Sequence, residues 1–260
     1  MTNDASPVRL ELGADHVALV TLDRPHVRNA VNAELARCLA GIVSQVEDDP
    51  AVRVAVLTGA GPVFCAGADL GAVANGEADS LWIGECGFGG FVFAARTKPW
   101  ICAANGPAIA GGLEIALGCD FIVAAEDATF SVPEVKRGLI AAAGGVYRLP
   151  RMLPRAVALE VLATGDSLDA RRAWSLGMVN RVTAPGQAVE EALALARSIA
   201  ANAPLAVREG LKIARQAHDL DETALRARVA EARRYLQGTD DYKEGPRAFL
   251  EKRKPRWSGA

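Results

Sequence analysis

The stretch from Val17 to Thr58 constrains the fold more than any other part of the chain. An apolar strand reads from Val17 to Leu22, and Asn32 then offers its side-chain oxygen as a helix N-cap. Leu35, Leu39, Ile42, Val43 and Val46 recur at helical spacing up to Asp48–Pro50. A β-branched strand from Val52 to Thr58 follows, ending in the turn residues Gly59, Gly61 and Pro62. Strand, helix and strand in that order predict an α/β unit.

The pattern extends further. A strand over Trp100–Ala104 leads through Asn105, Gly106 and Pro107 into a glycine pair and a helix over Gly112–Leu117, with short strands over Phe121–Ala125 and Thr129–Val132. Past Gly145 the spacing turns helical over Arg155–Thr164, Ala188–Ala200, Leu205–Ala217 and Glu222–Leu236, with one strand at Val179–Thr183. The reading is an α/β core over residues 1–200 and a helical C-terminal region over 201–260. The glycine-rich run Gly84–Gly90 is the candidate for a mobile insert.

With half of its 260 residues hydrophobic, the chain can bury a core of ordinary size. Its 29 basic and 31 acidic residues nearly cancel, so nucleic acid and anionic membranes are not expected partners, and small-molecule chemistry is the default. The cysteines Cys38, Cys65, Cys86, Cys102 and Cys119 form no CxxC pair and have no histidine close in sequence, which predicts reduced, buried thiols and no metal site. The opening MTNDASPVRLELG lacks the cationic and apolar regions of a secretory signal, and Asn105 and Glu114 interrupt the most hydrophobic region. A soluble cytoplasmic protein is expected.

No GxGxxG follows a strand, no GxxxxGK[ST] loop occurs, and no serine sits in a GxSxG elbow. His16, His26 and His218 are scattered and receive no role. What remains are two junctions, FCAGADL at 64–70 and NGPAIAGGLEIALGCD at 105–120. In each, small residues after an apolar strand leave peptide N–H groups open to a ligand, and two such donors converging on one oxygen would make an oxyanion hole. Either junction alone is more simply read as an ordinary strand-to-helix turn. Glu114 falls in the first helical turn beside Ile115, Ala116 and Leu117, and Glu134 follows Ser131, Val132 and Pro133. Acids in apolar surroundings have raised pKa values suited to proton transfer near neutrality, although each alone could serve as a helix-dipole or turn carboxylate.

Taken together and in order, six blocks resemble the enoyl-CoA hydratase/isomerase (crotonase) family: RPHVRNAVN at 24–32, CAGAD at 65–69, GGLEIALGCD at 111–120, PEVKRGLIAAAGG at 133–145, TGDSLDARRAWSLGMVN at 164–180 and KEGPRAFLEKRKPRW at 243–257. The resemblance implies an α/β, crotonase-like spiral of strand-strand-helix turns with a C-terminal helical oligomerisation region. Stripes such as Leu193, Ala196 and Ile199, otherwise monomer core, could then serve assembly as a homotrimer or a dimer of trimers. It also implies a site. The backbone N–H groups of Ala68 and Gly111 would hold a thioester oxygen, and Glu114 and Glu134 would be the acid and base. Coenzyme A would run along Arg28, Ala30, Ala66, Asp69 and Leu70. Phe249 and Lys252 would reach the coenzyme A of a neighbouring subunit. Coenzyme A is part of the substrate, so no separate cofactor and no metal are expected.

The chain departs from the family pattern at Gly71, where some relatives carry a lysine, and at Ala141–Ala142, where many have Pro-Gly. The expected activity is reversible addition of water to a 2-enoyl-CoA thioester. The alternatives are dehydration of a non-fatty hydroxyacyl-CoA, double-bond isomerisation, or a non-catalytic scaffold or RNA-binding role using Arg226–Arg234 and Lys252–Arg256. Residues 71–96 are expected to line the acyl pocket, with Trp82, Phe88 and Phe91 read as packing.

Overall fold

The computed structural model describes residues 6–260; Met1–Ala5, part of the segment read against a secretory signal, lie outside them. The chain runs β1 (Val8–Leu12), β2 (Val17–Leu22), α1 (Ala33–Asp48), β3 (Val54–Gly59), α2 (Leu70–Ala74), β4 (Trp82–Ile83) and β5 (Gly87–Phe88). Then come β6 (Trp100–Ala104), β7 (Ala108–Ile109), α3 (Gly111–Gly118), β8 (Phe121–Ala125) and β9 (Thr129–Ser131). The remainder is α4 (Gly145–Met152), α5 (Arg155–Thr164), β10 (Leu168–Asp169), α6 (Ala170–Ser175), β11 (Arg181–Thr183), α7 (Ala188–Ala200), α8 (Pro204–Ala214), α9 (Glu222–Gln237) and α10 (Asp240–Leu250). No helix among the described residues is long and apolar enough to cross a membrane.

Six strands form the main sheet in the order β1-β2-β3-β6-β8-β11, parallel throughout except for the β1–β2 pair. The apolar runs read as strands are its centre: every residue of β3 and β6 is buried. Alternate residues point to opposite faces. Val20, Leu22, Ala55, Leu57, Cys102 and Ala104 join the core that holds Leu35, Leu39, Val43 and Val46 of α1. Val17, Val54, Val56, Ile101, Ala103 and Val123 meet Ala192, Ala196 and Ala200 of α7. Helices on both faces are what a continuous apolar run in a parallel strand requires. Asn32 caps α1 by accepting the Leu35 N–H at 2.9 Å, as its position predicts.

The stripe Leu193, Ala196 and Ile199 packs on this chain's own sheet, where the small Ala196 brings α7 close to the strands, as the monomer-core reading of it requires. Several expectations are corrected. Residues Gly84–Gly90 are not a mobile insert: β4 and β5 pair there, Gly87 to Gly90 are buried, and a Cβ on Gly90 would stand 2.5 Å from the Ala36 carbonyl oxygen. The glycine lets this segment lie directly on α1. The cysteines are free, but only Cys65, Cys102 and Cys119 are buried. The helices α4 and α10 form despite Pro150 and Pro246, and β1, β10 and α6 are further elements the spacing does not reveal.

β3 and β6 are parallel neighbours, so both glycine-containing junctions leave the same edge of the sheet, at the carboxyl ends of its strands. In open α/β sheets this is the edge where ligands bind.

Candidate active site

The two junctions are joined residue by residue. Phe64 N–H donates to the Pro107 carbonyl (3.1 Å), Ile109 N–H to the Cys65 carbonyl (2.9 Å), and Cys65 and Ala108 form an isolated parallel bridge. On the other side, Ala66 N–H donates to Arg28 O, Val31 N–H to Gly67 O, and Asp69 N–H to Val31 O. Buried Asn29 locks this layer, its amide nitrogen reaching the carbonyls of Ala60, Val63 and Phe64.

Within that framework Gly67 approaches the start of α3 so closely that a Cβ on it would meet the Ala110 Cβ and Ile109 O at 2.9 Å and the Gly111 nitrogen at 3.0 Å. Ala110 has φ 53°, a backbone region costly for a residue with a Cβ, and its N–H is tied to Ser131 O at 2.8 Å. Among the described residues, the N–H groups of Ala68 and Gly111 have no acceptor within the fold. Both residues line the same cavity, so the two donors are available to a ligand oxygen.

The cavity has a volume of about 430 Å³. Leu81 and Phe88 are buried parts of its wall, whereas Leu70, Leu139 and Ile140 are exposed. Its charged groups are Glu114, Glu134 and Arg137. Glu114 is only 3 % exposed, and its Oε1 accepts the Gly145 N–H at 2.9 Å. Burial pushes its pKa up to about 7 against the opposing backbone hydrogen bond, and repulsion from Glu134 adds to the rise. Glu134 sits in the short 3-10 turn Pro133–Arg137. Its pKa is raised by burial, while its own backbone N–H and Arg137 act in the opposite direction, and its Oε2 is buried with no hydrogen-bond partner. Two carboxylates of raised pKa beside two free peptide donors can polarise a carbonyl and move protons on adjacent atoms.

The structure thus brings Ala66, Ala68, Leu70, Gly111, Glu114 and Glu134 onto one cavity. Arg28 and Ala30 lie outside its lining, on the segment bonded to Ala66 and Gly67. The Asp69 carboxylate is already engaged, capping α2 by accepting the Gly71 N–H and pairing with Arg24 at 3.2 Å. Phe249 and Lys252 are exposed near the end of α10, away from this lining. Trp82 and Phe88 line the cavity, whereas Phe91 stacks edge-on against Trp100 at 5.2 Å. Arg137, Leu139, Ile140 and the Gly145 donor were not singled out from the sequence; only their position after Glu134 could have pointed to them. A larger cleft of about 840 Å³ between α6, β11 and α7 carries the ion pairs Arg171–Glu126 and Arg181–Glu191 and neither Glu114 nor Glu134.

A parallel-sheet core with peptide donors and paired carboxylates at its carboxyl edge holds the groups that can stabilise an enolate of a carbonyl compound. The sequence pattern described as enoyl-CoA hydratase/isomerase matches residues 13–260. The chain is 41 % identical over 253 residues to the carnitinyl-CoA dehydratase of Salmonella arizonae, covering 92 % of this chain and 94 % of that one. Among solved structures, it is similar to an enoyl-CoA hydratase from Mycobacterium tuberculosis (TM-score 0.94, 43 % identity, 98 % of this chain and 100 % of that one). It is likewise similar to a carnitinyl-CoA hydratase from Mycobacterium avium (TM-score 0.78, 43 % identity, 98 % and 100 %). The chain belongs to the enoyl-CoA hydratase/isomerase family and has the crotonase fold.

Proposed function

We propose that this chain is a hydro-lyase that adds water reversibly across the 2,3 double bond of a 2-enoyl-CoA thioester. The observation that carries the reading is the convergence of Ala68 N–H, Gly111 N–H, Glu114 and Glu134 on one largely apolar cavity. The two N–H groups receive the thioester oxygen and stabilise the enolate formed when water attacks the β-carbon. Burial raises both carboxyls, and the charge of Glu134 adds to the rise at Glu114, which favours a proton held on the pair. Glu114, which accepts the Gly145 N–H, suits the ionised role and takes the proton from water. Glu134, whose Oε2 has no donor, suits the protonated role and delivers its proton to the α-carbon. Dehydration is the same path in reverse.

The names of the relatives raise carnitinyl-CoA as a second substrate, and the dehydration they name uses the same chemistry. The wall formed by Val73, Ala78, Leu81, Trp82, Phe88, Leu139 and Ile140 favours an uncharged acyl group. A cationic one would meet Arg137 and no carboxylate beyond the two catalytic glutamates. Extending the proposal, coenzyme A lies along Arg28, Ala30, Ala66, Asp69 and Leu70, and Phe249 and Lys252 meet it from a neighbouring copy in a trimer or dimer of trimers. The deciding experiment offers the purified protein 2-enoyl-CoA, 3-enoyl-CoA and carnitinyl-CoA esters and identifies the products. Hydration of uncharged 2-enoyl esters is expected. Isomerisation of 3-enoyl esters without hydration, or turnover of carnitinyl-CoA alone, would overturn the respective part of the reading.

A further inference from the structure

Arg148, on α4, lies outside the active cavity and is used by none of the chemistry above. Its Nη2 donates to the Val92 carbonyl at 2.6 Å. Its Nη1 is sealed from solvent with no hydrogen-bond partner. That nitrogen lies against the turn that serves Glu114: a Cβ on Gly144 would stand 3.0 Å from Arg148 Nη1, and a Cβ on the next residue, Gly145, would stand 3.2 Å from Glu114 Oε1. The guanidinium and the carboxylate therefore flank two consecutive glycine residues, the second of which donates its N–H to Glu114.

An unpaired, buried cationic N–H is costly and calls for a compensating charge. The groups acting on Arg148 are Tyr147 on its own helix, Glu114 from α3, Cys119 just beyond α3, and the cation Arg151. Arg96 also lies within its field. Cys119 is a neutral thiol, its pKa pushed up to about 12 by burial. The carboxylates Asp120 and Asp219, which belong to the same neighbourhood, are taken by Arg215 and Arg151. Glu114 remains as the acid whose charge Arg148 can balance. From the other side Glu114 faces Glu134, which repels it, and the backbone N–H groups of Gly145 and Ala143, which together do not cancel the effect of burial.

We propose that Arg148 is a positioning residue for the reaction: from outside the cavity its guanidinium keeps Glu114 ionisable against Glu134 and holds the Gly144–Gly145 turn in place. The proposal rests on the hydro-lyase reading only in assigning Glu114 a proton to move; the electrostatic coupling stands independently of the substrate. Removing a cation disfavours the ionised carboxylate, so Glu114 should titrate at higher pH without it.

The test compares Arg148→Gln, which keeps a donor for Val92 O and loses the charge, with Arg148→Lys, which keeps the charge and loses the planar fork. The Glu114 carboxyl is titrated directly by 13C NMR, assigned by difference from Glu114→Gln, and hydration of a 2-enoyl-CoA ester is followed against pH. In Arg148→Gln the Glu114 midpoint is expected to rise. Turnover below that midpoint should fall in proportion to the loss of ionised Glu114 and recover at high pH, with KM little changed because Arg148 does not line the cavity. Arg148→Lys should keep the original midpoint. An unshifted midpoint in Arg148→Gln, or an equal upward shift in Arg148→Lys, would overturn the proposal. Should the Gln variant fail to fold, Arg148→Met, which likewise removes the charge, is titrated in its place: the same rise is expected, and an unshifted midpoint overturns the proposal. If the native protein hydrates no ester tested, the function reading fails, yet the NMR titration still decides the role of Arg148.

Discussion

Replacing Glu114 with glutamine should damage the reaction and strengthen the fold, and both effects follow from its burial. Glutamine fills the same volume, and its amide oxygen can accept the Gly145 N–H, so packing changes little. It cannot exchange a proton, and turnover should fall by roughly a hundred- to ten-thousandfold. The stability effect has the opposite sign. A carboxyl whose pKa rises on folding binds a proton more tightly in the native state, so it lowers stability as pH climbs from its ordinary 4.5 through about 7, and the full penalty stands above that. A displacement of this size corresponds to about 3 kcal/mol, and the weaker hydrogen bond of the amide to Gly145 brings the expected gain to about 2–3 kcal/mol at pH 8. For a chain of this length that is a rise in Tm of roughly 5–10 °C. Below pH 4.5 the native residue is protonated in both states and the advantage should disappear. Thermal or urea unfolding of both proteins at pH 4.5 and pH 8, with circular dichroism and enoyl-CoA hydration run in parallel, checks all of this. A variant less stable than the native protein at pH 8, equally stabilised at both pH values, or still fully active would show that burial does not govern this carboxyl.

Three further outcomes are expected. In the native pH–rate profile, activity should fall as pH drops through about 7, because Glu114 must be ionised to take a proton from water; a flat profile from pH 6 to 9 in steady-state assays counts against Glu114 as the base. Gly67→Ala places a methyl at φ +86°, 3.0 Å from the Gly111 nitrogen, and should separate the two oxyanion donors, lowering kcat by about a hundredfold or more while far-UV circular dichroism stays native; unaltered kcat would remove Gly111 from the oxyanion role. Glu244→Gln should free the C-terminal tail, because Glu244 holds Arg253, Arg247 and the Arg256 N–H; hydrogen exchange over residues 253–259 should accelerate, and unchanged protection would locate the anchor elsewhere, such as at Asp241.

Much of the fold was legible because the central strands are buried on both faces and carry almost nothing but apolar side chains. Val54–Gly59 and Trp100–Ala104 could be read from composition alone. β1 could not: Arg9 and Glu11 alternate with Val8 and Leu10 on an edge strand, and such a five-residue pattern is short beside the runs that follow. The proline-containing α4 and α10 were hidden by a local rule that tertiary contacts override. Glu244 on α10 is fixed by partners 3 to 12 residues downstream, which no periodicity announces.

The site was legible in its residue types and not in its geometry, and the difference is instructive. Ala68, Gly111, Glu114 and Glu134 could be picked out as small or acidic residues at junctions beside apolar runs. What makes the two N–H groups available is where their neighbours' bonds go. Val31 takes the N–H of Asp69, Ser131 takes that of Ala110, and the donors between and beside them are left over. The Asp69 carboxylate pairs with Arg24, 45 residues earlier, a partner its sequence neighbours do not announce. The same logic explains why Gly145, 31 residues after Glu114, escaped notice as its hydrogen-bond donor. A glycine shows that space is needed, and only the fold shows which neighbour fills it. At Gly67 that neighbour is the strained Ala110–Gly111 peptide. Its cost is met by the surrounding bonds to Cys65 and Ser131, so the free N–H groups of Ala68 and Gly111 are held in place by the fold itself.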